Sequence, residues 1–437
     1  FVGDPNMPLS SSLPIFSGFL GIANNTPGGS VGVGVSPGAT INLYGANQIG
    51  IVAQSIGGGG GFASVNGNIA TQNTSTWGGN TGSGGYVGVT VDGSIIDVGK
   101  RGGTVGVFAQ SQGSSTNNSG QTIDVELAQT TYGDGSSVSG VIKADTGVVL
   151  SGGANGSSGI TNTVLVSQGA LIEVPRGNNA ILSTYGTTNV TNYGTITGGI
   201  AVGTTPGFSA PAGVIYNYGG TINATGDIIA SNFINSGGGL FVAGANYIGQ
   251  TNLYGSFTQI GAYGTGSTYF DFSTTLHSND FLNIVANSTS AGTMLQSGQF
   301  VMNRLDSNKL PAFGQTATLV TAQGGFLSSS GGYNASTISI SDTSPLIVWT
   351  LSQQGNNLVA QYQGATAHPS GYSFTKNQQN YLDYVVKAYN AGDAAVVNAM
   401  GNLAAIHRPS GGGSGGGGGS GSSNGYNYTD LKSALNT

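Results

Sequence analysis

Three stretches in the middle of the chain repeat one short pattern. They are Val190-Thr191-Asn192-Tyr193-Gly194-Thr195-Ile196, then Ile215-Tyr216-Asn217-Tyr218-Gly219-Gly220-Thr221-Ile222, then Phe233-Ile234-Asn235-Ser236-Gly237. The asparagines stand 25 and then 18 residues apart, about the length of one coil of a parallel β-solenoid. In such a coil the apolar residues point inward and stack on their counterparts in neighbouring coils. Asparagines at equivalent corners hydrogen-bond to each other as amides do in cross-β ladders. Glycine takes left-handed corners closed to β-branched residues.

The same kind of unit recurs on both sides. Gly50-Ile51-Val52-Ala53-Gln54-Ser55-Ile56 runs into Gly57 to Gly61, and a weaker copy follows 56 residues later as Gly106-Val107-Phe108-Ala109-Gln110-Ser111. Val31, Val33 and Val35 alternate, as do Val87, Val89 and Val91 before an Asp92-Gly93 turn, the period of a half-buried strand. Asp-Gly favours a tight turn because both residues tolerate positive φ. Leu171 to Val174 and Ala180 to Ser183 give a further strand-turn-strand unit. Asn68 to Gly85 and Gly113 to Gly120 read as polar insertions between rungs. At ~4.8 Å per rung, about 14 rungs would make a rod of roughly 65 to 70 Å. The expected fold is therefore all-β: a right-handed parallel β-helix with a short helical C-terminal segment.

Composition narrows the classes. Glycine supplies 80 of 437 residues, while only 6% are charged, against roughly 25% in an average domain. Disorder is opposed by 38% hydrophobic residues, recurring as clusters of strand formers up to Tyr362. A net charge of −6, with no basic cluster longer than Lys100-Arg101, leaves no positive footprint for nucleic acid. It also disfavours an anionic membrane surface. There is no cysteine, and a stacked rod needs no disulfide staple. The apolar runs are far shorter than the roughly 18 residues of a spanning helix. Starting at Phe1, the chain reads as a mature or trimmed product.

Five regions are expected. Residues 1–29 form an N-terminal cap or a leader, and 30–239 form the glycine-rich β-helix. Residues 240–365 are denser in large apolar side chains, among them Phe270, Phe272, Phe281 and Leu346 to Trp349. Residues 366–406 are helical. Thr375-Lys376-Asn377-Gln378 is a capping-box pattern, and Tyr381, Leu382, Val385 and Tyr389 share one face. A second short helix runs from Ala394 to Ile406, and 407–437 is a Gly/Ser-rich linker.

The chain resembles the passenger domain of a bacterial autotransporter, without its signal peptide and outer-membrane β-barrel. Asn47 to Gly61 is similar to a rung of large glycine-rich members. Ser278-Asn279-Asp280-Phe281-Leu282-Asn283-Ile284, followed by Pro311 to Ala322, resembles the autochaperone segment that ends such passengers. Phe374-Thr375-Lys376-Asn377-Gln378-Gln379 resembles the start of the helical segment leading to the barrel. The resemblance implies display at the bacterial cell surface or release from it, with the chain's own C-terminal barrel as export partner.

Candidate chemistry is sparse. The three histidines are His277, His368 and His407, and none accompanies a Gly-x-Ser-x-Gly elbow. Metal-ligand spacings and calcium repeats are missing from the sequence. The glycine run at Gly57 to Gly61 lacks the Lys-Ser/Thr of a phosphate loop. For polysaccharide hydrolysis two facing acids are required, and the candidate pairs are Asp124/Glu126 and Asp92/Asp97. Tyr193, Tyr216 and Tyr218 suit cross-rung packing, with glycan or rod binding as the alternative. No catalytic, cofactor or metal residue is assigned. The expected role is non-enzymatic: adhesion to glycans or other cells, self-association, or a structural fibre. The alternative is an enzyme acting on extracellular polysaccharide.

Overall fold

The computed structural model describes residues 28–57, 63–65, 68–70, 83–112, 122–152, 161–202, 213–259, 266–327 and 338–405, apart from 185, 245–246, 297, 307–308 and 371, together with Leu435. The proposed N-terminal cap, most of the Gly57 to Gly61 run, the Gly113 to Gly120 insertion, His407 and the linker lie almost wholly outside the described residues. Within the insertion expected after Asn68, Asn68–Ala70 is a strand pairing antiparallel with Ala63–Val65.

The alternating segments wind into a parallel β-helix with three faces. On the first face Val31–Val35 pairs with Val87–Val91, then Ile123–Leu127, Asn162–Val166, Thr188–Asn192 and Val214–Tyr218, all parallel. The second face stacks ten strands from Thr40–Leu43 to Ile338–Asp342. The third begins with Ile49–Ile56 on Val105–Gln112 on Thr146–Gly152. From Ile228–Ser236 onward, single strands round the corner between the third and first faces, pairing with Gly199–Ala201 by one end and Val214–Tyr218 by the other. Among the described residues ten stacked strands give about 45 Å of rod at ~4.8 Å each, against the roughly 65 to 70 Å expected. The early coils consume more chain: Val31 stacks on Val87, 56 residues on.

Burial follows the period-two alternation. Ile95, Ile142, Ile172, Ile196, Ile222 and Phe241 form one column on the second face, each with no exposed surface. Each contributes about 1.5–3 kcal/mol of burial. Toward the C-terminus phenylalanines take over: Phe233, Phe241 and Phe257 meet at centroid distances of 5.0 to 5.7 Å. Strand pairing runs without a break through residues 239–240.

The asparagine ladder is present. Val91, Leu127 and Val166 give way in the same column to Asn192, Asn217, Asn235 and Gln259. Asn192 Nδ2 donates to Asn217 Oδ1 at 2.8 Å, and Asn217 Nδ2 to Asn235 Oδ1 at 2.9 Å. The same amides donate to the carbonyls of Thr221, Leu240 and Ser267. All three asparagines are fully buried, so these bonds satisfy amides that water cannot reach.

The corner glycines have two causes: Gly219 (φ 79°) and Gly237 (φ 62°) take the left-handed conformation expected, while others are there for space. Gly93, Gly140, Gly194, Gly220, Gly239 and Gly266 each precede the second-face strand, and none has a positive φ. Instead, a Cβ on Gly93 would lie 2.3 Å from the Ala39 carbonyl oxygen, and one on Gly194 2.4 Å from that of Ala170. The coils touch backbone to backbone there, so the residue is small for space; Ala39 and Ala170 fill the column in two coils. Gly298, the next member of the column after Gly266, does have a positive φ of 124°.

The far end is closed by strands of the opposite sense. Ile347–Gln354 and Asn357–Ala365 form a hairpin, the latter antiparallel to Thr316–Ala322. Two helices follow, α1 (Lys376–Asn390) and α2 (Ala394–Ala405). The capping box forms, with Thr375 and Gln378 exchanging side-chain to backbone bonds. Helix α1 buries Gln378, Leu382, Val385 and Val386; Tyr381, expected on that face, is 47% exposed because Val386 takes the contact instead. Asn390 grips both backbone groups of Ala365.

Two substitutions test this account by chemical denaturation. Asn217→Ala, which strands the amides above and below it, should cost about 1–3 kcal/mol. Gly194→Ala should cost about 1–3 kcal/mol by overpacking. Gly32→Ala, where a Cβ meets nothing within 4 Å, should stay within about 0.5 kcal/mol of the parent.

Candidate functional site

Of the two acid pairs singled out by sequence, one shares a face and the other is not brought together. Asp124 and Glu126 lie two apart on Ile123–Leu127, both on its outer side, roughly 7 Å apart by strand geometry. They sit on a flat ladder between Gly88/Thr90 and Thr163/Leu165. Thr163 Oγ1 donates to Asp124 Oδ1 at 2.6 Å. Burial and the adjacent Asp124 carboxylate push the Tyr86 phenol up. Asp92 and Asp97 are not brought together. Asp97 receives the Lys100 amide and the Thr104 hydroxyl, fixing a turn, while Asp92 takes the Thr130 hydroxyl at 3.4 Å. His277 has φ 50°, and His368 is largely exposed, 3.3 Å from Asp383. Among the described residues no three His, Asp or Glu side chains gather as a metal site.

The tyrosines do come together. Tyr193 and Tyr218 each follow a ladder asparagine and point out of the first face on successive coils. Their centroids are 6.2 Å apart, and Tyr216 lies 5.5 Å from Tyr218. Beyond Tyr218 the next coil has Ser236. A hollow of about 350 Å³ opens there, lined by Tyr193, Tyr218, Ser236 and Gly237. Tyr193 remains 45% exposed. The rings thus pack on each other and still present surface.

Two buried polar groups escaped the sequence reading. Near the end of the rod, Arg304 Nε donates to Asp342 Oδ1 at 3.2 Å, with both side chains almost wholly buried. Trp349 Nε1 donates to Asp342 Oδ2, and Arg304 Nη2 to the Ala404 carbonyl in the last turn of α2. A cation there also opposes the negative end of the helix dipole. Tyr362 and Tyr389 share a hydroxyl bond of 2.8 Å, and burial pushes both phenols up. The second group is Asp280, whose oxygens accept the backbone N–H of Gly249 and Asp271. Burial pushes its carboxyl up to about 8, with the Asp271 charge adding to the rise. The N–H donors and Arg176 pull the other way. Nothing in the sequence distinguished these acids from turn residues, since Arg304 and Gly249 stand 38 and 31 residues from the acids they meet.

No protein-family profile and no curated protein matches the chain. Among solved structures it is similar to the Hap adhesin of Haemophilus influenzae, at a TM-score of 0.33 and 11% identity. The match covers 77% of this chain and 32% of that one, so this chain spans about a third of its length. A likeness so distant carries no argument about function.

Asp280 sets a pH dependence. Its folded value of about 8 lies above the ordinary 3.8, so between those values the folded protein holds a proton that the unfolded chain has released. This contribution is fully present below about pH 4 and is lost as pH rises through about 8. Urea midpoints measured across that range should decline with rising pH, and Asp280→Asn should flatten the decline. Equal slopes for the two proteins would remove Asp280 as the cause.

Proposed function

We propose that the chain is the passenger of a bacterial autotransporter, displayed at the cell surface or released, and that it works by adhesion or self-association without catalysis. What supports the export reading is where the resembling segments meet. Phe281–Val285 and Thr316–Ala322 lie side by side, Leu282 opposite Val320 and Asn283 opposite Thr321. They stand in the last coils, ahead of the closing hairpin and α1. A folding template is most effective at such an end, because each new coil needs a finished edge to stack on. The role in contact follows from the outer faces, where uncharged Thr, Asn and Tyr side chains dominate the ladders from Asn162–Val166 to Val214–Tyr218.

A second reading has one observation in its favour. Asp124 and Glu126 share an outer face at a separation compatible with inverting glycoside hydrolysis.

Removing residues 240–362 from the complete secreted protein should abolish both surface display and protease resistance of the upstream coils. Normal display would refute the export reading. Purified protein should clump cells or coat surfaces while leaving polysaccharides uncut. Sugar release that disappears in the Asp124→Ala, Glu126→Ala double variant would replace adhesion with catalysis.

A further inference from the structure

The outward tyrosine stack stops abruptly, and what replaces it is small. Position by position, the residue after the ladder amide is Tyr193, then Tyr218, then Ser236. The missing third ring uncovers the Tyr218 side of the stack. Gly237 (φ 62°) and Gly238 (φ 82°) turn the backbone there, and a Cβ on Gly237 would come within 3.7 Å of the Tyr218 backbone. The rings are tilted, by 43° between Tyr193 and Tyr218 and 33° between Tyr216 and Tyr218. Tyr193 and Tyr218 thus form one wall of the hollow. The buried ladder Asn192–Asn217–Asn235 runs directly beneath, so the wall is held in place before any ligand arrives.

We propose that this hollow binds a neutral oligosaccharide, with sugar ring faces against Tyr193 and Tyr218 and sugar hydroxyls bonded to the phenols. This deepens the adhesion reading and rests on it. The chemistry on the wall selects the class. Aromatic faces bordered by hydroxyls match a ligand that is apolar on its ring face and polar at its rim. Among the described residues no ionised side chain lines the hollow, which favours a neutral sugar over a charged one. Burial, with Tyr216 and Tyr193 alongside, pushes the Tyr218 phenol up, so it remains a donor at neutral pH.

The test uses the purified chain, titrated by calorimetry with neutral glucan, mannan and N-acetylglucosamine oligomers and with sialylated and sulfated counterparts. At least one neutral series should bind. Tyr193→Ala and Tyr218→Ala should each weaken it by about tenfold or more. Tyr218→Phe, which keeps the ring, should retain most of the affinity. Binding of charged sugars alone, of none, or with equal affinity in Tyr193→Ala and Tyr218→Ala would overturn the proposal. Clumping measured on the same proteins separates the two claims. Wild-type clumping without sugar binding sinks the site and leaves adhesion standing; sugar binding without clumping does the reverse.

Discussion

In-register stacking of one coil on the next is the interaction on which everything else in this molecule depends. A single coil of Val, Ile and Asn has no interior; it acquires one only when the coils above and below bury its inward row. Parallel pairing at the hydrogen-bond spacing aligns like with like. That alignment is why isoleucine follows isoleucine from Ile95 to Ile222, and why Gln54 donates to Gln110 at 2.8 Å. The second of the two glycine-rich motifs is therefore the neighbouring rung of the first, not a distant echo of it.

The same spacing explains the corners and the ends. Amides at Asn192, Asn217 and Asn235 are tolerated in the interior because each finds its partner one coil away. Glycines such as Gly93 and Gly194 are small because successive backbones nearly touch. Stacking must also stop, since an open edge invites further strands. The chain stops it with an antiparallel hairpin, two helices and a buried ion pair. Arg304 reaches from the last coils to the carbonyl of Ala404, so the helical cap is tied to the rod through a charge that has no water to fall back on. Removing either partner of such a pair leaves the other uncompensated.

The outer faces carry less constraint, and the candidate sites reflect that. Asp124 and Glu126 were identifiable as neighbours because alternate residues of one strand share a side. The tyrosine trio was identifiable as a set, but the hollow beside it was not. The hollow exists because Ser236 follows Tyr218 in the stack, and that succession belongs to the coil register. Asp280 was visible in the sequence only as part of the segment that resembles an autochaperone, while its burial depended on the backbone of Gly249 and Asp271 lying against it.

The sequence by itself determined the architecture. Period-two alternation decides which side chains face inward, small residues mark the corners, and the recurring Asn fixes the ladder, all through local rules that need no distant partner. Tertiary structure alone decided which coils are neighbours and hence what each buried polar group meets. Coil lengths range from 56 residues between Val31 and Val87 to 18 between Asn217 and Asn235. With spacing so uneven, no period in the sequence can pair Arg304 with Asp342, or leave Tyr218 beside a serine.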